Sequence, residues 1–130
     1  MEEINTKIIG VDGQNEDGQY RQVIISKYVI ERDTLELENE PSDKDKNSIA
    51  AYYYPGDDQK LKVGFINPTL APRIIAAMEE GKLLMCMVMN VTGRDSDKLG
   101  LDCYISISSK EEMEIEKQNH IATIKKEQER

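Results

Sequence analysis

Glu40-Pro41-Ser42-Asp43-Lys44-Asp45-Lys46-Asn47-Ser48-Ile49-Ala50-Ala51 is the stretch that decides how this chain is read. Lys62-Val63-Gly64-Phe65-Ile66-Asn67 follows it, and then a segment closing on Glu79-Glu80-Gly81. A polar Asp-Lys-Asn turn feeds an apolar run, so Ile49 to Tyr54 reads as a strand. Pro55-Gly56-Asp57-Asp58 is a strong turn signal, and Lys60 to Ile66 returns antiparallel to complete a hairpin. A helix comes next. Leu70, Ile74, Ile75 and Met78 share one face at helical spacing. Thr69 is the expected N-cap, Pro72 falls in the first turn, where its missing N–H costs little, and Gly81 closes the C-terminus.

Working outward, most of the chain reads as strand. Ile4 to Val11 is a short apolar opener, and Gly10, Gly13 and Gly18 with Asn15 and Asp17 mark a mobile loop. Tyr20 to Ile30 holds Val23, Ile24, Ile25, Val29 and Ile30, a β-branched run that predicts a buried strand. Thr34 to Glu38 alternates, with Leu35 and Leu37 on one face and Thr34, Glu36 and Glu38 on the other. Leu83 to Val91 is long, apolar and rich in Met85, Met87 and Met89. Gly93 to Lys98 is a turn, and Leu99 to Ser108 alternates again. No strand–helix–strand unit repeats. The expected fold is therefore mainly β within the α+β class, a small OB-like or SH3-like barrel of about six strands with one internal helix. Residues 1–109 form this domain. Residues 110–130 differ in composition and are expected to form a charged C-terminal helix or tail, since Ser108 and Ser109 each precede a glutamate by three residues in the manner of a capping box.

Composition removes several function classes. The 130 residues suit one domain, and with no Trp and one Phe the core must be aliphatic. No apolar run approaches the length of a membrane span, and Met1-Glu2-Glu3 is unlike a secretory leader, so a cytoplasmic location is expected. Cys86 and Cys103 lie in apolar strand-like runs and read as reduced core thiols. One His and two separated Cys give no zinc spacing, so neither metal nor cofactor is expected. His120, the only histidine, lies in the charged tail, which argues against a His-dependent triad. Asp95-Ser96-Asp97 and Asp57-Asp58 read as turns whose side chains satisfy the backbone. No enzyme is expected and no catalytic residue is assigned. The net charge of −8 opposes long-range approach to a polyanion, a smaller obstacle for a pocket gripping one nucleic-acid end than for a broad duplex surface.

The order of these elements resembles the HIRAN domain, over Ile8 to Ser108. Asp45, Asn47 and Ile49 match the family's Asp-x-Asn-x-Ile spacing. Val63-Gly64-Phe65-Ile66 matches its Ile-Gly-aromatic-Leu strand, Leu70-Ala71 and Gly81 its helix ends, and Glu40-Pro41 the approach to the motif. The resemblance implies a barrel that captures the 3′ end of single-stranded DNA, or damaged or stalled-fork DNA, with bases stacked on aromatics and an acid accepting from the terminal hydroxyl. Asp45 matches that acid and Phe65 an aromatic or His position. The tyrosine before the acid is Lys44 here, a basic position after Phe65 is Pro68, and the loop is one residue shorter.

The candidate nucleic-acid-binding residues are therefore Asp45, Lys44, Lys46, Asn47, Tyr20, Arg21, Tyr53, Lys62 and Phe65. Each has a plainer role open to it. Asp45 and Asn47 can fold their loop through backbone hydrogen bonds, Phe65 can fill the core, and one or two of Tyr52, Tyr53 and Tyr54 must face inward on an alternating strand. Lys44, Lys46, Lys60 and Lys62 would together form a small positive mouth on an acidic body. Two partner classes follow: a single-stranded DNA end, with a helicase or nuclease as an accompanying protein partner, or a protein docking on a domain that keeps the fold but not the DNA-end site.

Overall fold

The computed structural model describes residues 1–42, 46–56 and 58–111. Its elements run β1 (Glu2–Lys7), α1 (Arg21–Tyr28), β2 (Thr34–Asn39), β3 (Ile49–Gly56), β4 (Gln59–Phe65), α2 (Ala71–Glu79), β5 (Leu83–Thr92) and β6 (Gly100–Ser108). The strands form one antiparallel sheet in the order β1-β6-β5-β2-β3-β4. The mainly-β, OB-like expectation holds, with the sheet curled rather than closed. Its two edges meet at a single residue pair beyond the end of β1. Ile9 N–H donates to Phe65 O at 2.9 Å, and Phe65 N–H donates back to Ile9 O at 2.8 Å.

The expected hairpin is β3 and β4, and the alternating Thr34–Glu38 segment is β2, with Leu35 buried and Leu37 half-buried. Helix α2 carries Ala71, Ile74 and Ala77 inward. It is entered differently from the expectation. The cap position is Leu70 with no side-chain cap, and Asn67 turns the chain by accepting the Thr69 N–H on Oδ1 at 3.0 Å. At the other end Gly81 N–H donates to Met78 O and Lys82 N–H to Ala77 O, both at 3.0 Å, a paired closure of the last turn.

One reading is corrected. Tyr20 to Ile30, expected as a strand, is built around α1, which gives the domain two helices among the described residues. Strand alternation would put Val23 and Ile25 on one side and Ile24 on the other. Instead Ile24 and Ile25 are both buried and Val23 is 60% exposed. Arg21, Ile24, Ile25 and Tyr28 face inward at i, i+3, i+4 and i+7, the helical stripe. The β-branched residues carry only a weak local bias, and packing against the sheet overrides it. Gln22 secures the helix: Nε2 donates to Val11 O and Leu99 O, and Oε1 accepts the Leu99 N–H, at 2.7 to 2.9 Å.

The core is aliphatic. Ile24 and Ile25 of α1 and Ile74 of α2 meet Ile49, Val63, Val88, Leu101 and Ile105 of the sheet. Cys86 and Cys103 are free and buried on neighbouring strands. Their mutual hydrogen bond and their burial hold the Cys86 thiol far above its ordinary range. Both thiols should therefore resist a thiol reagent in the native state and react at the rate of global unfolding; fast labelling of folded protein would contradict this packing.

Gly64 permits the edges to meet. A Cβ there would lie 2.4 Å from Ile8 Cγ2 and 2.6 Å from Ile9 O, and the second contact is backbone. Gly64→Ala should lower stability in urea by about 2–3 kcal/mol through overpacking. Gly56→Ala, with nothing within 4 Å of its Cβ, should stay within about 0.5 kcal/mol of the parent. Equal stability of the two variants would show that the edge contact is dispensable.

Candidate nucleic-acid interface

The β4 strand places Lys62 and Phe65 beside the start of α1. Arg21, the first helical residue, lays its guanidinium over the Phe65 ring, 4.9 Å from the centroid. That arrangement is fixed by the glycine loop. Arg21 Nε donates to Asn15 Oδ1 and Nη1 to Gly10 O, both at 2.8 Å, and its backbone N–H donates to Gly13 O at 3.0 Å. Gly10 has φ +67°, which lets the chain turn so that its carbonyl faces the guanidinium. Asn15 in turn donates through Nδ2 to Lys62 O at 2.9 Å, which ties the loop to β4.

Lys62 lies between two rings, its Nζ 5.3 Å from the Phe65 centroid and 5.7 Å from that of Tyr52. Its side chain is only 14% exposed. Nζ donates to Glu40 Oε1 at 2.8 Å, and Tyr52 OH donates to Glu40 Oε2 at 2.5 Å. Lys60 stands over the other side of this group, 4.1 Å from the Tyr52 centroid and paired with Glu38. Cations over aromatic faces are attracted by the ring quadrupole, more strongly where water is excluded. The result is a continuous cation–aromatic band: Arg21, Phe65, Lys62, Tyr52, Lys60.

The acids at its rim shape the electrostatics. Burial pushes the Glu40 carboxyl up, but the hydrogen bonds from Lys62 and Tyr52 and the charges of Lys62 and Lys60 outweigh it, so the group stays ionised below its ordinary value. Burial and the Glu40 carboxylate together hold the Tyr52 hydroxyl well above the usual tyrosine range.

Of the residues singled out in the sequence, Arg21, Lys62 and Phe65 are brought together. Tyr20 adjoins them, 56% exposed, in the extended backbone that starts α1. Lys46 and Asn47 are exposed at the start of β3. Tyr53 packs against Tyr28 at a 6.1 Å centroid separation and against the core. Lys44 and Asp45 lie outside the described residues, as do the Asp57 turn position and nearly all of the charged tail. Sequence reasoning missed the pairing of Glu40 with Lys62, the placement of Tyr52 and the bracing by Asn15. The available signals were the Glu40-Pro41 step and an Asn among glycines. The Asp95–Asp97 segment is a turn in which Ser96 Oγ donates to Gly93 O at 3.0 Å.

Glu40→Gln should lower stability by about 1 kcal/mol at neutral pH, because charge-assisted hydrogen bonds at a half-exposed site are lost. The sign with pH follows from the depressed pKa. The carboxylate's contribution is whole above its ordinary 4.5 and is lost as pH falls through the lower folded value. The melting-temperature gap between the two proteins should thus be constant from pH 7 to 5 and close on further acidification. A gap that persists in acid would assign the loss to packing.

No family model and no curated protein matches the sequence. Two solved structures share the fold. The crystal structure of the HIRAN domain of human HLTF superposes with a TM-score of 0.59 at 14% identity, covering 84% of this chain and 78% of that one. The crystal structure of a protein from Lactobacillus plantarum gives 0.55 at 14% identity, covering 81% and 99%. The likeness is one of architecture, and this chain has a HIRAN-like fold.

Proposed function

We propose that this domain binds nucleic acid without chemistry of its own, taking a single-stranded DNA end on the face built from Tyr20, Arg21, Lys62 and Phe65. The observation that carries the reading is the cation–aromatic band on a HIRAN-like fold: Arg21 and Lys62 both reach the half-exposed Phe65 ring. Non-sequence-specific binding to single strands combines cations for the backbone with aromatics for the bases, and this face offers both. Preference for a 3′ end comes from the family resemblance, through the match of Asp45 to the acid that accepts from the terminal hydroxyl. The protein-docking alternative is favoured by a different face, where Leu83, Met85 and Met89 of β5 are each 40% exposed or more.

Fluorescence anisotropy with short single-stranded DNA, bearing either a free 3′-hydroxyl or a 3′-phosphate, tests the proposal at two salt concentrations. Phe65→Leu should weaken binding by about 1–3 kcal/mol, the value of one stacked base. Asp45→Ala should abolish any preference for the free hydroxyl. Absence of binding to either oligonucleotide at low salt would overturn the nucleic-acid reading and turn the search to the β5 face.

A further inference from the structure

The two lysines of this face already have anions, and its arginine already has acceptors. Lys62 donates to Glu40 at 2.8 Å, Lys60 is paired with Glu38, and two N–H groups of Arg21 are taken by Asn15 and Gly10. Glu40 is the best placed of these partners. One of its oxygens accepts from Lys62 and the other from Tyr52 OH, so the carboxylate is fixed from both sides where an anionic ligand oxygen would have to sit. Lys62 cannot turn elsewhere readily, because its ammonium group lies near both the Phe65 and Tyr52 rings and little of the side chain reaches solvent.

We infer that Glu40 is a specificity-determining residue of the proposed site, an internal carboxylate that occupies the phosphate position on Lys62 and must be displaced when a nucleic-acid backbone binds. This rests on the nucleic-acid reading and adds a role to it. A phosphate alone meets a cation that is already neutralised and gains little by replacing one anion with another. A ligand that also stacks a base on Phe65 gains enough to displace the carboxylate. Glu40 thereby selects strands with accessible bases over polyanions in general, the discrimination by an unfavourable competitor on which specificity often depends. The same carboxylate explains how an acidic chain can present such a band without a broad positive surface.

The test compares the full chain with Glu40→Gln and with the double variant Glu40→Gln/Lys62→Met, titrating a thymidine oligonucleotide and an abasic oligonucleotide of equal phosphate number. Neutralising Glu40 should tighten binding of the thymidine strand about fivefold or more, as expected for removing one charge beside a phosphate contact. It should also steepen the logarithmic salt dependence by about 0.7, one further counterion released from a single strand. The abasic strand should gain more, narrowing the discrimination between the two. The double variant should lose the gain, since the two sites are coupled.

Wild-type binding that is unchanged or weaker in Glu40→Gln would overturn the inference and leave the nucleic-acid reading standing. A gain that survives in the double variant would also overturn it, because Lys62 would not be its route. No binding by any of the three proteins at low salt would overturn both the inference and the reading beneath it.

Discussion

The contact between Ile9 and Phe65 across the missing side chain of Gly64 is the constraint on which the rest of the structure depends. It joins the two edges of a six-stranded sheet through one pair of backbone hydrogen bonds. With a Cβ at Gly64 the chain leaving β1 could not lie this close to β4. Because the edges meet there, the loop of residues 10–19 begins directly over Phe65 and the start of α1 is delivered beside it. The candidate site is therefore a product of how the sheet curls. Its two halves come from segments far apart in sequence, held in place by Arg21 to Gly10 and Asn15 to Lys62.

The second organising feature is electrostatic. The chain carries a net charge of −8, yet Arg21, Lys62 and Lys60 lie over rings, the two lysines also against carboxylates and Arg21 against neutral oxygens. Each pairing is modest when exposed. Lys62 differs because its side chain is mostly covered, so its ionised partner Glu40 is held by geometry as well as by charge. A tyrosine of β3, a lysine of β4 and the glutamate just after β2 then share one network. Such a network fixes side-chain positions more firmly than a mobile surface pair would, and a stacking surface needs its flanking groups held in that way.

Several elements were legible in the sequence. The Ile49–Tyr54 and Lys60–Ile66 hairpin followed from two apolar runs around a Pro-Gly turn, and α2 followed from the Leu70, Ile74, Ile75 and Met78 face with Gly81 behind it. Arg21, Lys62 and Phe65 were named as candidates, and they come together. Tyr20 to Ile30 misled because Val, Ile and Tyr favour strands locally. The helical spacing of Arg21, Ile24, Ile25 and Tyr28 was present but looked the same as a continuous apolar run, which periodicity cannot resolve between buried strand and helix. Tyr52 could not be told from Tyr53, because a register shift between Ala51 and Tyr52 breaks the simple alternation on β3.

The sequence by itself determined the element types of the hairpin, of α2 and of the last two strands, since those depend on spacing and turn chemistry within a few residues of one another. It also determined that the core is aliphatic and that the chain is acidic. Only the tertiary structure decided that α1 is a helix, that the sheet edges touch at Ile9 and Phe65, and that Glu40 is paired with Lys62 under Tyr52. Each of these depends on groups brought together from distant positions, whose burial, distance and charge exist only once the sheet has curled.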